Sequence, residues 1–159
     1  MFADVDHKHP EVRADLFHWA EWLSKQVPLG GLRLDAIKHY SFEFLRDFVA
    51  HIDRSVDSGW FLVGEYWRED SEFLARYIEY MNHRISLFDV QLVSNFSRVS
   101  LLEEKGDLRE VFDDALVAWK PANAVVSQGS KGGTNIDSPA NSVQTFVVNH
   151  DTVSQHDSC

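Results

Sequence analysis

Short apolar runs alternate along this chain with longer segments of helical period, and that alternation limits the fold more than any other feature. In "HPEVRADLFHWAEWLSKQ" (9–26) apolar residues fall at Val12, Leu16, Trp19 and Leu23, the spacing of one helix face, with Pro10 in the first turn. "LRLDAI" then reads as a short strand, followed by a helix from about Ser41 whose inner face is expected at Phe42, Leu45, Val49 and Ile52. "WFLVGE" (60–65) is a second strand, "SEFLARYIEYMN" a third helix with Ser71 as its N-cap, and "ISLFDV" (85–90) a third strand. Helical material follows through about Leu102 and again over 108–119. A polar Gly/Ser/Asn-rich segment comes next (127–142), and "VQTFVVNHD" (143–151) is the last strand. Strands that alternate with helices pair in parallel through right-handed crossovers, so the class is α/β with about four parallel strands.

With 159 residues the chain is long enough for one domain with a core. Its formal charge of −10 argues against a nucleic-acid partner, because a phosphate backbone rewards clustered Lys and Arg. No run of about 18 apolar residues is present, so no membrane span is expected. The single cysteine, Cys159, cannot form an internal disulfide, and "MFADVDHKHP" lacks the apolar run of a signal peptide. Both readings favour a cytoplasmic setting.

The chemistry gathers at the strand ends. Asp35 follows "LRL", Glu65 follows "FLVG", and His150 and Asp151 follow "FVVN". In parallel α/β folds the carboxyl ends of strands are where ligands bind, so the topology would bring these distant acids together. Two carboxyl groups about 5 Å apart are the equipment of retaining glycoside hydrolysis, one as nucleophile and one as proton donor. For any single acid at a strand end, capping the next helix is the commoner role. Three such acids, with Arg33 two residues before Asp35, shift the balance toward a site.

These stretches resemble the signature motifs of the alpha-amylase family, glycoside hydrolase family thirteen. "GLRLDAIKH" is similar to the motif carrying the nucleophile, "GEYW" to that of the proton donor, and "FVVNHD" to that of the third acid, in the family's order. The similarity runs from "ADVDHKHPEV" through "FEFLRDFV" and "LFDV", nearest to liquefying-type enzymes and their intracellular fungal relatives. It implies Asp35 as nucleophile, Glu65 as general acid/base and Asp151 as the third acid. It also implies Arg33 as the partner that keeps Asp35 ionised, and Lys38, His39 and His150 as sugar contacts. Trp67 and Tyr66 are read evenly as sugar platforms or core aromatics. "ADVD" (3–6) is similar to the family's calcium region, with Asp4 a carboxylate ligand and His39 a ligand through its backbone carbonyl. Asp6 is a candidate for a neighbouring ion, whereas Lys8 stands where an acid is common and argues against a second metal. His7 and His9 have no third ligand for zinc.

The resemblance implies part of a (β/α)8 TIM barrel, its fourth to seventh strands. Residues 1–159 then form the C-terminal part of the catalytic barrel, without the family's inserted domain or C-terminal β-domain. The implied activity is retaining, internal cleavage of alpha-1,4-glucosidic bonds in starch or glycogen by double displacement, in a truncated form. One alternative is a catalytically silent fragment or weak glucan-binding remnant. Another is a transglycosylase or alpha-glucosidase of the same family, which the three acids do not separate from a hydrolase. The implied calcium site is incomplete, and the chain alone is expected to be nearly inactive on starch.

Overall fold

The computed structural model describes residues 5–102, 105–119 and 143–147. The elements are α1 (Pro10–Gln26), β1 (Gly31–Leu34), α2 (Phe42–Ser55), β2 (Phe61–Gly64), α3 (Ser71–Tyr80), β3 (Ser86–Phe88), α4 (Val90–Leu101) and β4 (Val143–Gln144). The chain divides into two compact units, Met1–Tyr66 and Trp67–Cys159. In the first, β1 and β2 pair in parallel, Gly31 opposite Phe61 and Leu34 opposite Gly64. In the second, β3 and β4 pair in parallel, Leu87 opposite Val143. Parallel strands with flanking helices are the α/β class that the alternation predicts, consistent with a partial barrel. Among the described residues no helix is long and apolar enough to cross a membrane.

Helix α1 starts as expected, with Pro10 in its first turn. Of the apolar residues at helical spacing, Val12, Leu16 and Leu23 are half-buried, Trp19 is 46 % exposed and its neighbour Ala20 is buried instead. Polar and aromatic contacts to α2 run through Arg13, Phe17 and Glu21. Arg13 bridges to Asp47 at 2.6 Å, Phe17 stacks on His51 with ring centroids 4.6 Å apart, and Glu21 Oε1 lies 2.9 Å from His51 Nε2. The Arg13 guanidinium also lies over the Phe17 and Phe44 rings. An amphipathic arginine can thus sit on an apolar seam that a count of hydrophobic letters leaves to tryptophan.

Ser41 caps α2, its hydroxyl accepting the Phe44 N–H at 3.1 Å. The helix buries Phe44, Leu45, Phe48, Val49 and Ile52, while Phe42 at its first position is only half-buried. Gly31 sits where the β1 and β2 backbones come closest: a Cβ there would overlap the Phe61 carbonyl oxygen, a main-chain atom that cannot swing aside. Gly31→Ala is therefore expected to lower the unfolding free energy by about 3 kcal/mol. Gly30→Ala is the control, since a Cβ at Gly30 meets nothing within 4 Å. Urea unfolding of both variants checks the difference, and equal midpoints would contradict it.

In the second unit the cap of α3 is Asp70, not Ser71. The Asp70 carboxylate accepts the Phe73 N–H at 2.9 Å, while the Ser71 hydroxyl donates to Asp114 O at 2.6 Å. That N–H, and then the Arg68 guanidinium, hold the Asp70 carboxyl below its ordinary range. Residues 108–119 are not one helix as their pattern suggests, but two 3₁₀ turns, Leu108–Phe112 and Leu116–Ala118. The reason is tertiary. Asn95 on α4 donates to the Val111 and Asp113 carbonyls, and the Asp89 carboxylate accepts the Leu116 and Val117 N–H groups. Side chains from elsewhere take the backbone groups that a continuous helix would pair internally. Leu92, Val99, Val111 and Ala115 close the core beneath these turns. The polar segment 127–142 lies outside the described residues, as does the expected last strand beyond Val147.

Candidate active site

The parallel register of β1 and β2 brings their following residues side by side. Glu65 N–H donates to Leu34 O at 2.9 Å, and Ile37 N–H donates to Glu65 O at 3.0 Å. Between these two bonds the chain turns sharply at Asp35 and Ala36, with Ala36 in the left-handed region (φ 47°, ψ 40°). Ile37, with no exposed surface, anchors the turn in the core. The turn directs the Ala36 N–H at Glu65 Oε2, 3.2 Å away.

One nitrogen joins the two acids. Arg33 Nη2 lies 3.1 Å from Asp35 Oδ1 and 3.2 Å from Glu65 Oε2, so those oxygens are at most 6.3 Å apart. Their surroundings differ sharply: the Asp35 side chain is 74 % exposed, that of Glu65 only 10 %. The pair therefore combines an accessible carboxylate with a shielded one, under a shared guanidinium. The expected pairing of Arg33 with Asp35 takes in Glu65 as well, which spacing along the sequence does not reveal.

Tyr40 closes the same turn and is half-buried. Burial, and secondarily the Asp35 carboxylate, push its phenol above the ordinary value of 10.0. The sign follows from proton counting. Above about pH 10 the unfolded chain releases this proton first, so stability falls as pH rises from there toward the folded value. Asp35→Asn removes the second cause and is expected to move the Tyr40 titration back down, readable by ¹⁹F NMR of fluorotyrosine-labelled protein. An unmoved midpoint would show that the carboxylate does not act on the phenol.

Lys38 and His39 occupy the short 3₁₀ turn Ile37–His39 directly after Ala36, and both are exposed. Of the two aromatics after Glu65, Tyr66 is buried, whereas Trp67 is 37 % exposed. The Trp67 ring lies 6.2 Å from that of Phe146. Asp4, His150 and Asp151 fall outside the described residues. Asp6 accepts the Lys8 N–H in a local turn, and His7 packs its ring on Tyr40 and Phe44, an aromatic contact and not half of a zinc pair. Calcium wants six to eight oxygens. Among the described residues no three His, Cys, Asp or Glu side chains are placed to hold a metal, and Asp4, the carboxylate expected to join the His39 carbonyl, lies outside them.

Sequence reasoning passed over one further strand-end acid. Asp89 follows β3 and has no exposed surface. It caps α4 through the Leu92 N–H at 3.0 Å and takes the Leu116 and Val117 N–H groups at 3.1 and 2.8 Å. This is the helix-capping role that any acid after a strand can have, realised in full. The signal available in "LFDV" was its position alone, which Asp35 and Glu65 share.

No family model matches the chain. Curated relatives do. An alpha-amylase of Bacillus licheniformis is 36% identical over 152 residues, 96% of this chain and 26% of that protein. A glucan 1,4-alpha-maltohexaosidase of Bacillus sp. (strain 707) is 32% identical over the same shares of each chain. A cytoplasmic alpha-amylase of Escherichia coli (strain K12) is 28% identical over 96% of this chain and 27% of its own length. The chain thus spans about a quarter of the length of the curated relatives it matches. Over nearly all of its residues the chain is similar to about a quarter of each of these proteins, two of them alpha-amylases.

Proposed function

We propose that this chain carries the catalytic pair of a retaining glycoside hydrolase that cleaves internal alpha-1,4-glucosidic bonds in starch- or glycogen-type glucans. The observation that carries the reading is the single Arg33 nitrogen shared by Asp35 and Glu65. It holds Asp35 Oδ1 and Glu65 Oε2 within 6.3 Å of each other, so that both carboxyl groups can face one glycosidic bond. Asp35, the exposed acid, attacks the anomeric carbon, and the departing glycosidic oxygen takes a proton from the shielded Glu65. Water then attacks the anomeric carbon and gives a proton to Glu65, and the bond from that carbon to Asp35 breaks, which frees the carboxylate. Arg33 pairs with the attacking carboxylate. Asp151 serves as the third acid, holding sugar hydroxyls, and Lys38, His39, His150 and Trp67 line the path of the glucan. The relatives' names support the alpha-glucan substrate, and the cytoplasmic relative supports a cytoplasmic setting.

The test is ¹H NMR of the first products released from maltoheptaose by the protein. Initial α-anomers are expected from double displacement. Initial β-anomers would overturn the assignment of Asp35 as nucleophile.

A further inference from the structure

Four described residues other than glycine have positive φ: Ala36, Asn82, His83 and Asp114. Asn, His and Asp are the types most often found there, since short polar side chains can bond to the local backbone. Alanine has no such group, so its neighbours must impose the conformation. They do so on both sides. Leu34 O and Ile37 N–H are tied to the backbone of Glu65, and the Ala36 carbonyl accepts the His39 N–H at 3.0 Å. Strain imposed by the surroundings, beside two acids, asks for a reason.

We propose that Ala36 is a positioning residue: its left-handed backbone holds an N–H on Glu65 Oε2 and so leaves Oε1 as the oxygen that carries the transferable proton. Oε2 accepts the Ala36 N–H and faces Arg33 Nη2, both at 3.2 Å. A proton placed on Oε2 would meet the Ala36 N–H and the adjacent guanidinium charge, neither of which can accept it. Among the described residues no hydrogen bond reaches Oε1. The inference rests on the reading of Glu65 as general acid. In that step the Oε1–H bond breaks and the proton joins the glycosidic oxygen, which keeps the electron pair of its broken bond to the anomeric carbon. A bond from that carbon to Asp35 forms as the old one breaks. Glu65 is left as a carboxylate with Oε2 still held by the Ala36 N–H and paired with Arg33, and recovers its proton on Oε1 from the incoming water.

The test needs no turnover, so it is separable from the function itself. In isotope-labelled chain 1–159, the Ala36 amide proton is expected to lie downfield and to move with pH in step with the Glu65 carboxyl carbon. E65Q is expected to abolish that step yet keep the downfield position, because the new side-chain carbonyl takes the place of Oε2 and its amide nitrogen that of Oε1. A36G is expected to retain the step, since glycine adopts the left-handed region freely. A36V is expected to lose it, a β-branched residue being strained there. Three results would overturn the proposal: a step that survives E65Q but vanishes in D35N, a downfield position lost in E65Q, or a step absent in A36G. If A36V fails to fold, the other three variants still decide. Loss of glucan cleavage alongside an intact Ala36 signature would sink the proposed function and leave this contact standing.

Discussion

On the proposed reading, Asp35→Asn and Glu65→Gln are each expected to lower kcat on maltooligosaccharides by at least about 10³-fold, through different steps. The leaving group separates them. An aryl glycoside with an acidic phenol departs without a proton, so Glu65→Gln is expected to recover much of its first-step rate on such a substrate. Asp35→Asn is expected to recover none, because no nucleophile remains to attack. Equal losses on both substrate types would contradict the division of roles. Folding is expected to change little in Asp35→Asn. The carboxylate is largely solvent-exposed and its ion pair with Arg33 is a surface one, a kind that contributes at most about 1 kcal/mol.

Asp89→Ala is expected to lower the unfolding free energy by about 3–5 kcal/mol, the largest stability effect of any single change argued from this structure. Three N–H groups converge on this carboxylate, with Oδ1 taking those of Leu92 and Leu116 and Oδ2 that of Val117. Alanine leaves all three without an acceptor in a region from which water is excluded, and each buried donor so orphaned costs about 1–3 kcal/mol. Asp89→Asn is expected to cost less, about 2–3 kcal/mol. It keeps one carbonyl oxygen for Leu92 and Leu116 but sets its amide against the Val117 N–H. Urea unfolding measures both. A loss below about 1 kcal/mol in Asp89→Ala would show that the two 3₁₀ turns do not depend on this side chain.

The comparison of Asp89 with Asp35 and Glu65 shows where a reading of residues stops. All three follow a parallel strand, and position in the sequence ranks them alike. The two site acids stand beside a guanidinium, one of them open to solvent; Asp89 is enclosed by backbone donors. Composition and spacing do not separate them. Likewise Asp70 caps α3 because its side chain reaches the Phe73 N–H, while its neighbour Ser71 is drawn away to the Asp114 carbonyl. Both residues are good caps by type.

By itself the sequence determined the order of the described helices and strands, their α/β class, and the placement of Asp35 and Glu65 after two strands. These follow from local rules: side-chain period decides helix or strand, and alternation of the two decides parallel pairing. The tertiary structure alone decided which face of α1 meets α2, why residues 108–119 break into two turns, and how Ala36 comes to be left-handed. Each depends on atoms distant in sequence that compete for the same hydrogen bonds or the same space. The Arg33 bridge is of that kind: Arg33 and Asp35 are two residues apart, but Glu65 comes within reach only because β1 and β2 pair with Leu34 opposite Gly64.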